Sequence, residues 1–170
     1  TSSIFKFENF NEIMKSENMK LGEALSKLKK EKSRLARLIS LRKDNVYVEE
    51  GKKTKFDPKE LSNEINKKIE EIRVLKIKIQ KTNLDAKVDG EGITLAECII
   101  KVNDLRSKLA NLSNLFERKR DCWYKDKDEK EMTAQLDELE IEDEIEKIEI
   151  EKTQLDNKIQ ITNWTTKLQD

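Results

Sequence analysis

The sequence predicts an all-α protein: an antiparallel four-helix arrangement built from two duplicated helical hairpins, with short β-hairpin-like connections. Apolar residues recur at three- and four-residue steps, the spacing of one helix face. Only four glycines and one proline occur in 170 residues, which leaves few places for sheet turns. The chain also repeats itself at a fixed offset. A charged fraction of 41% beside a hydrophobic fraction of 35% fits either a disordered chain or helices that each bury a narrow stripe, and the periodicity selects the second.

The first helix is expected from about Lys20 to Leu41, with Leu21, Leu25, Leu28, Leu35 and Leu38 as its stripe. The second starts at Pro58, a residue suited to the first helical position, behind Asp57 as N-cap. Its stripe is Leu61, Ile65, Ile69, Ile72, Leu75 and Ile79, ending near Asn83. Thr94-Leu95-Ala96-Glu97 reads as a capping box opening the third helix. Its stripe runs Leu95, Ile99, Val102, Leu105, Leu109, Leu112 and Phe116. The fourth uses Met132, Leu136 and Leu139, then Ile141, Ile145, Ile148, Leu155 and Ile159. The step from Leu139 to Ile141 breaks phase, so the buried face is expected to shift there.

Sliding the chain by 74 residues superposes Leu21, Glu23, Lys27, Ser33, Leu35, Ala36, Leu38 and Leu41 on identical residues from Leu95 to Leu115. Sliding it by 80 superposes Glu64, Ile65, Lys67, Glu71 and Leu75 on Glu144, Ile145, Lys147, Glu151 and Leu155. The same offset brings Lys78-Ile79-Gln80-Lys81-Thr82-Asn83 onto Lys158-Ile159-Gln160-Ile161-Thr162-Asn163 with one mismatch. Shared leucines follow from any heptad, but the Ile-Gln-x-Thr-Asn ending does not. Hairpin repeats at 20–83 and 95–163, in a pseudo-twofold arrangement, are the expectation.

Net charge is zero, yet charge is segregated. Nine basic and two acidic residues lie between Lys20 and Lys43, against eleven acidic and two basic between Glu129 and Glu151. In an up-down bundle the first and fourth helices are neighbours, and the two runs would face each other. Exposed pairs contribute only about 0–1 kcal/mol each, so they bear on partner choice more than on stability.

Aromatic residues gather outside the stripes. Asn45 to Gly51, followed by Lys55-Phe56, is expected to form a short hairpin around Tyr47. Trp123 and Tyr124 occupy the matching gap of the second half, and Asp89-Gly90 marks a turn between the halves. Phe5, Phe7 and Phe10 fall in residues 1–18, a Phe-rich extension before a helical domain at 19–170. With Trp164 near the end of the fourth helix, these aromatics are the candidate interaction residues.

Several segments resemble the septicolysin-like family of small helical bacterial proteins. They are Met19-Lys20-Leu21-Gly22-Glu23-Ala24-Leu25, Asn45 through Gly51, Asp57-Pro58-Lys59-Glu60-Leu61, Thr82-Asn83, Gly92-Ile93-Thr94-Leu95-Ala96-Glu97 and Asn163-Trp164-Thr165-Thr166. In order they cover the chain from Met19 to its end, which leaves residues 1–18 outside the resemblance. It implies a helical fold and self-association. The family name also suggests a cytolysin, although no residue here is identified as a lytic determinant.

Chemistry finds little to work with. The absence of histidine removes Ser-His, Cys-His and His-metal mechanisms for this chain alone, and the Glu-x-x-His pairs of di-iron bundles with them. No Gly-rich phosphate loop occurs. The acidic run from Asp137 to Glu151 lacks the loop geometry of a chelating site. Cys98 sits on an apolar stripe as a core thiol, and Cys122 is the more reactive of the two. No catalytic, cofactor-binding or metal residue is therefore assigned, and a non-enzymatic, self-assembling or partner-binding bundle is expected. A homo-oligomer is the favoured partnership, with another protein next. A membrane is a weaker alternative and nucleic acid weaker still, resting on Lys27, Lys29, Lys30, Lys32, Arg34 and Arg37. The cysteine spacing matches no disulfide framework, no run reaches the roughly 18 apolar residues of a membrane span, and no secretory signal is visible. The cytoplasm is the expected location.

Overall fold

The computed structural model describes residues 18–116 and 133–170. The described residues form four helices: α1 (Leu21–Asp44), α2 (Pro58–Asp85), α3 (Leu95–Ser113) and α4 (Glu138–Thr165). No strand occurs among the described residues, so the protein is an all-α, four-helix structure. The chain divides into two compact units. The first reaches to Ala86 and includes Thr162–Asp170; the second is Lys87–Ile161.

Each helix starts where its capping chemistry lies. Asp57 accepts the Lys59 amide at 2.8 Å and Pro58 takes the first helical position. Thr94 and Glu97 form the reciprocal box, with the Thr94 amide on the Glu97 carboxylate at 2.7 Å and the Glu97 amide on Thr94 Oγ1 at 3.3 Å. At the equivalent point of α1, Lys20 has no side-chain acceptor, and only the Glu23 half of the box is made, at 2.7 Å. Asp137 accepts the Leu139 amide at 2.8 Å, as Asp57 does for α2 one repeat earlier. This cap resolves the expected break of phase. The helix begins at Glu138, so Leu136 and Leu139 belong to its entry, 54% and 72% exposed, and the stripe starts at Ile141.

In the first unit, α1 and α2 form an antiparallel hairpin, with Leu21 and Ala24 of α1 and Leu61, Ile65, Ile72 and Ile79 of α2 as its buried apolar residues. The open end of that hairpin is closed by the segment after α4. The Leu21 amide donates to the Thr166 carbonyl at 3.0 Å, and the Leu168 amide to the Met19 carbonyl at 2.8 Å. The Gln169 amide reaches Thr82 Oγ1 at 2.9 Å, which satisfies a threonine hydroxyl that is otherwise fully buried. The indole of Trp164 lies over Gly22, where an added Cβ would stand 2.7 Å from the ring.

The second unit pairs α3 with α4. Lys101 and Glu151 are 2.9 Å apart, and Lys108 and Glu144 are 2.8 Å apart. One heptad forward on α3 thus matches one heptad back on α4, the signature of antiparallel pairing. Val88, Leu95, Cys98, Val102, Ile148, Leu155 and Ile159 are its buried apolar residues.

The two expected connections turn out differently. The Lys87–Thr94 turn closes by an antiparallel bridge, with the Val88 amide on the Ile93 carbonyl at 3.0 Å and positive φ at Gly90 and Gly92. Lys20 and Lys167 form the corresponding bridge one repeat away. The 45–56 connection forms no strand: it is a turn at Gly51 (φ 82°), with the Asn45 side chain holding the Leu41 carbonyl at 2.8 Å. Its Val46 and Val48 are about half exposed and have no sheet face to pack on.

Candidate functional site

The stripes read from the sequence are only partly buried. On α1, Leu21 is sealed, Leu28, Leu35 and Leu38 are half-buried, and Leu25 is 37% exposed. On α2, Ile69 is 44% exposed. A helix that pairs with one neighbour buries only the flank facing it, so the rest of a wide apolar stripe stays at the surface. The expectation that Leu25 and Ile69 lie in the core is corrected on that ground.

An ion-pair network lies in the same hairpin. Glu31 on α1 is 7% exposed and carries Lys68 of α2 at 2.8 Å and Arg34 at 2.9 Å. Lys68 also contacts Glu71. The Lys68 ammonium 2.8 Å away holds the Glu31 carboxyl below its ordinary range despite burial, and the same contact raises the Lys68 ammonium above its own. Beside the network, Arg34, Arg37, Leu38, Leu41 and Lys68 line an open groove of about 280 Å³. The repeat places Leu105 and Ile148 where Glu31 and Lys68 stand, so the positions of the ionic pair in one hairpin carry apolar residues in the other. Sequence reading missed this pair. Its signal was a carboxylate on the most basic helix, at a position where the repeat carries leucine.

The second hairpin presents the opposite charge. Glu144 and Glu151 pair with Lys108 and Lys101 of α3, the other arm of the same hairpin. Glu91 accepts from Lys158 at 2.7 Å, and that bond lowers its pKa. Leu139, Asp143, Glu146 and Ile150 follow steps of four, three and four, share one face of α4, and are all exposed. Cys98 is buried with its thiol pushed up, first by desolvation and then by Glu91, the state of an unreactive core cysteine.

Two of the aromatic candidates, Tyr47 and Trp164, lie among the described residues. Tyr47 projects from the 45–56 turn, 91% exposed, and Trp164 is 54% exposed above Gly22. Phe5, Phe7, Phe10, Trp123 and Tyr124 lie outside the described residues. Among the described residues, no three His, Cys, Asp or Glu side chains gather in a metal-holding group, and no helix is long and apolar enough to cross a membrane.

Fold and surface thus define a helical protein of two antiparallel hairpins with charge-segregated faces. The chain belongs to a family of unknown function, DUF6847, which matches residues 11–168. It is similar to the crystal structure of a functionally unknown conserved protein from Corynebacterium diphtheriae. The TM-score is 0.77 at 29% identity, over 89% of this chain and 99% of that one. No curated protein matches.

Proposed function

We propose that this protein is a non-enzymatic helical-hairpin module that works by self-association. The observation that carries the reading is the half-exposed α1 stripe, Leu25 through Leu38, on a helix that also exposes Lys27, Lys29, Lys30, Lys32, Arg34 and Arg37. Contiguous apolar surface rimmed by charge is the mark of a protein-binding face. The chain itself supplies a partner of complementary charge, because α4 is as acidic as α1 is basic. Native mass measured by light scattering over a hundredfold range of concentration tests it. A stable mass at twice or more the 20.0 kDa of the chain supports the proposal, and a monomer throughout overturns it.

The septicolysin-like resemblance supports a second reading, a membrane-active protein, with the exposed indole of Trp164 as its membrane-seeking group. Dye release from liposomes of several compositions at micromolar protein tests that reading, and absence of release removes it.

A further inference from the structure

The groove on α1 and the acidic face of α4 fit each other. Arg34, Arg37 and Leu41 line the groove, three and then four residues apart on one helix face. Leu139, Asp143 and Glu146 lie on the exposed face of α4, four and then three apart. When the two helices run antiparallel, these intervals coincide: Leu41 meets Leu139, Arg37 meets Asp143, and Arg34 meets Glu146. Antiparallel docking also aligns the two helix dipoles favourably.

The groove residues are open to such a contact. Arg34 has a side chain 52% exposed even while it holds Glu31, and Arg37 is exposed. Across the proposed contact, Leu139 is 72% exposed, Asp143 and Glu146 are exposed, and Ile150 is 52% exposed one turn beyond Glu146. An apolar contact followed along the helix by two carboxylate–guanidinium pairs combines affinity with register.

We infer that the groove of one copy receives the Leu139–Glu146 face of α4 from a second copy, giving a two-fold dimer with two identical contacts. The inference rests on the self-association reading above and specifies its surface. In a two-fold dimer each α1 receives the partner's α4, so one substitution alters both contacts.

The test is charge reversal with complementation, read by native mass and by the dimer dissociation constant. Arg37→Glu puts a like charge opposite Asp143, and Asp143→Arg does the same opposite Arg37. Each single variant is expected to weaken dimerisation by about tenfold per contact, hence about a hundredfold in total. Mixing the two variants is expected to restore a heterodimer of near wild-type affinity. One contact then brings the two reversed charges together as an opposite pair, and the other retains Arg37 against Asp143. Both positions are exposed on helices, and circular dichroism verifies that each variant stays folded. A wild-type protein that remains monomeric overturns self-association itself. A wild-type dimer indifferent to both reversals leaves self-association standing and overturns this surface. Weakening by both reversals without rescue on mixing overturns the contact between copies, since a pair within one chain cannot be repaired in trans.

Discussion

Replacing the buried ion pair of the first hairpin by the apolar pair of the second separates two physical accounts of that site. Lys68→Ile alone leaves Glu31, 7% exposed, with Arg34 at 2.9 Å as its remaining partner. Removing one member of a buried pair costs about 3–5 kcal/mol, and the retained guanidinium places this case near about 3. For a chain of this size that lowers Tm by roughly 6–12 °C. Glu31→Leu alone strands an ammonium that is 20% exposed and still touches Glu71, so its cost is smaller, about 1–2 kcal/mol. The double variant Glu31→Leu/Lys68→Ile puts at these positions the residues the repeat carries there, Leu105 and Ile148. It is expected to match or exceed the wild type, because desolvating two charges offsets most of what their attraction returns. Urea denaturation followed by circular dichroism at pH 7 gives all four corners of the cycle. A double variant clearly less stable than the wild type would refute the reasoning, by showing that the pair is a net stabiliser rather than a compensated burden.

The same variants predict a pH dependence. Glu31 has a folded pKa below its ordinary 4.5, so its contribution is present above that value and is lost as pH falls through the depressed one. Lys68 is raised above 10.5, so its contribution is fully present below that value and lost only as pH rises through the raised one. Urea midpoints should therefore show the double variant pulling further ahead of the wild type at pH 3 than at pH 7; an unchanged gap would contradict the assignment. Gly22→Ala would put its Cβ 2.7 Å from the Trp164 ring and displace a half-exposed indole, at a cost of about 1 kcal/mol. In a Trp123→Phe background the displacement should appear as a red shift of Trp164 fluorescence, and an unchanged spectrum would count against the contact. Thr94→Ala removes the acceptor of the Glu97 amide and should destabilise the second hairpin by about 1 kcal/mol. Thr94→Ser should recover most of that loss in the same thermal melt.

Much of the local structure is legible in the residues alone. Asp57 and the Thr94–Glu97 box mark two helix starts because capping is decided within four residues. The Lys87–Thr94 turn is legible for the same reason. The 45–56 connection misleads because alternation of Val46, Tyr47 and Val48 signals a strand only where a sheet face waits to receive it. Asp137 caps α4 with the same chemistry as Asp57, yet the leucines around it mask the start, since a stripe of Leu136 and Leu139 looks continuous until its burial is known.

By itself the sequence determined the helical class, the four amphipathic helices and the repeated hairpin, because periodicity and capping are local properties of the chain. Tertiary structure alone decided which flank of each stripe is covered and which stays open. It also decided that Glu31 meets Lys68, and that the acidic helix takes its cations from α3. Those outcomes depend on which two helices lie side by side and in what register. Residues far apart in the chain settle that jointly, through packing that no short window of sequence contains.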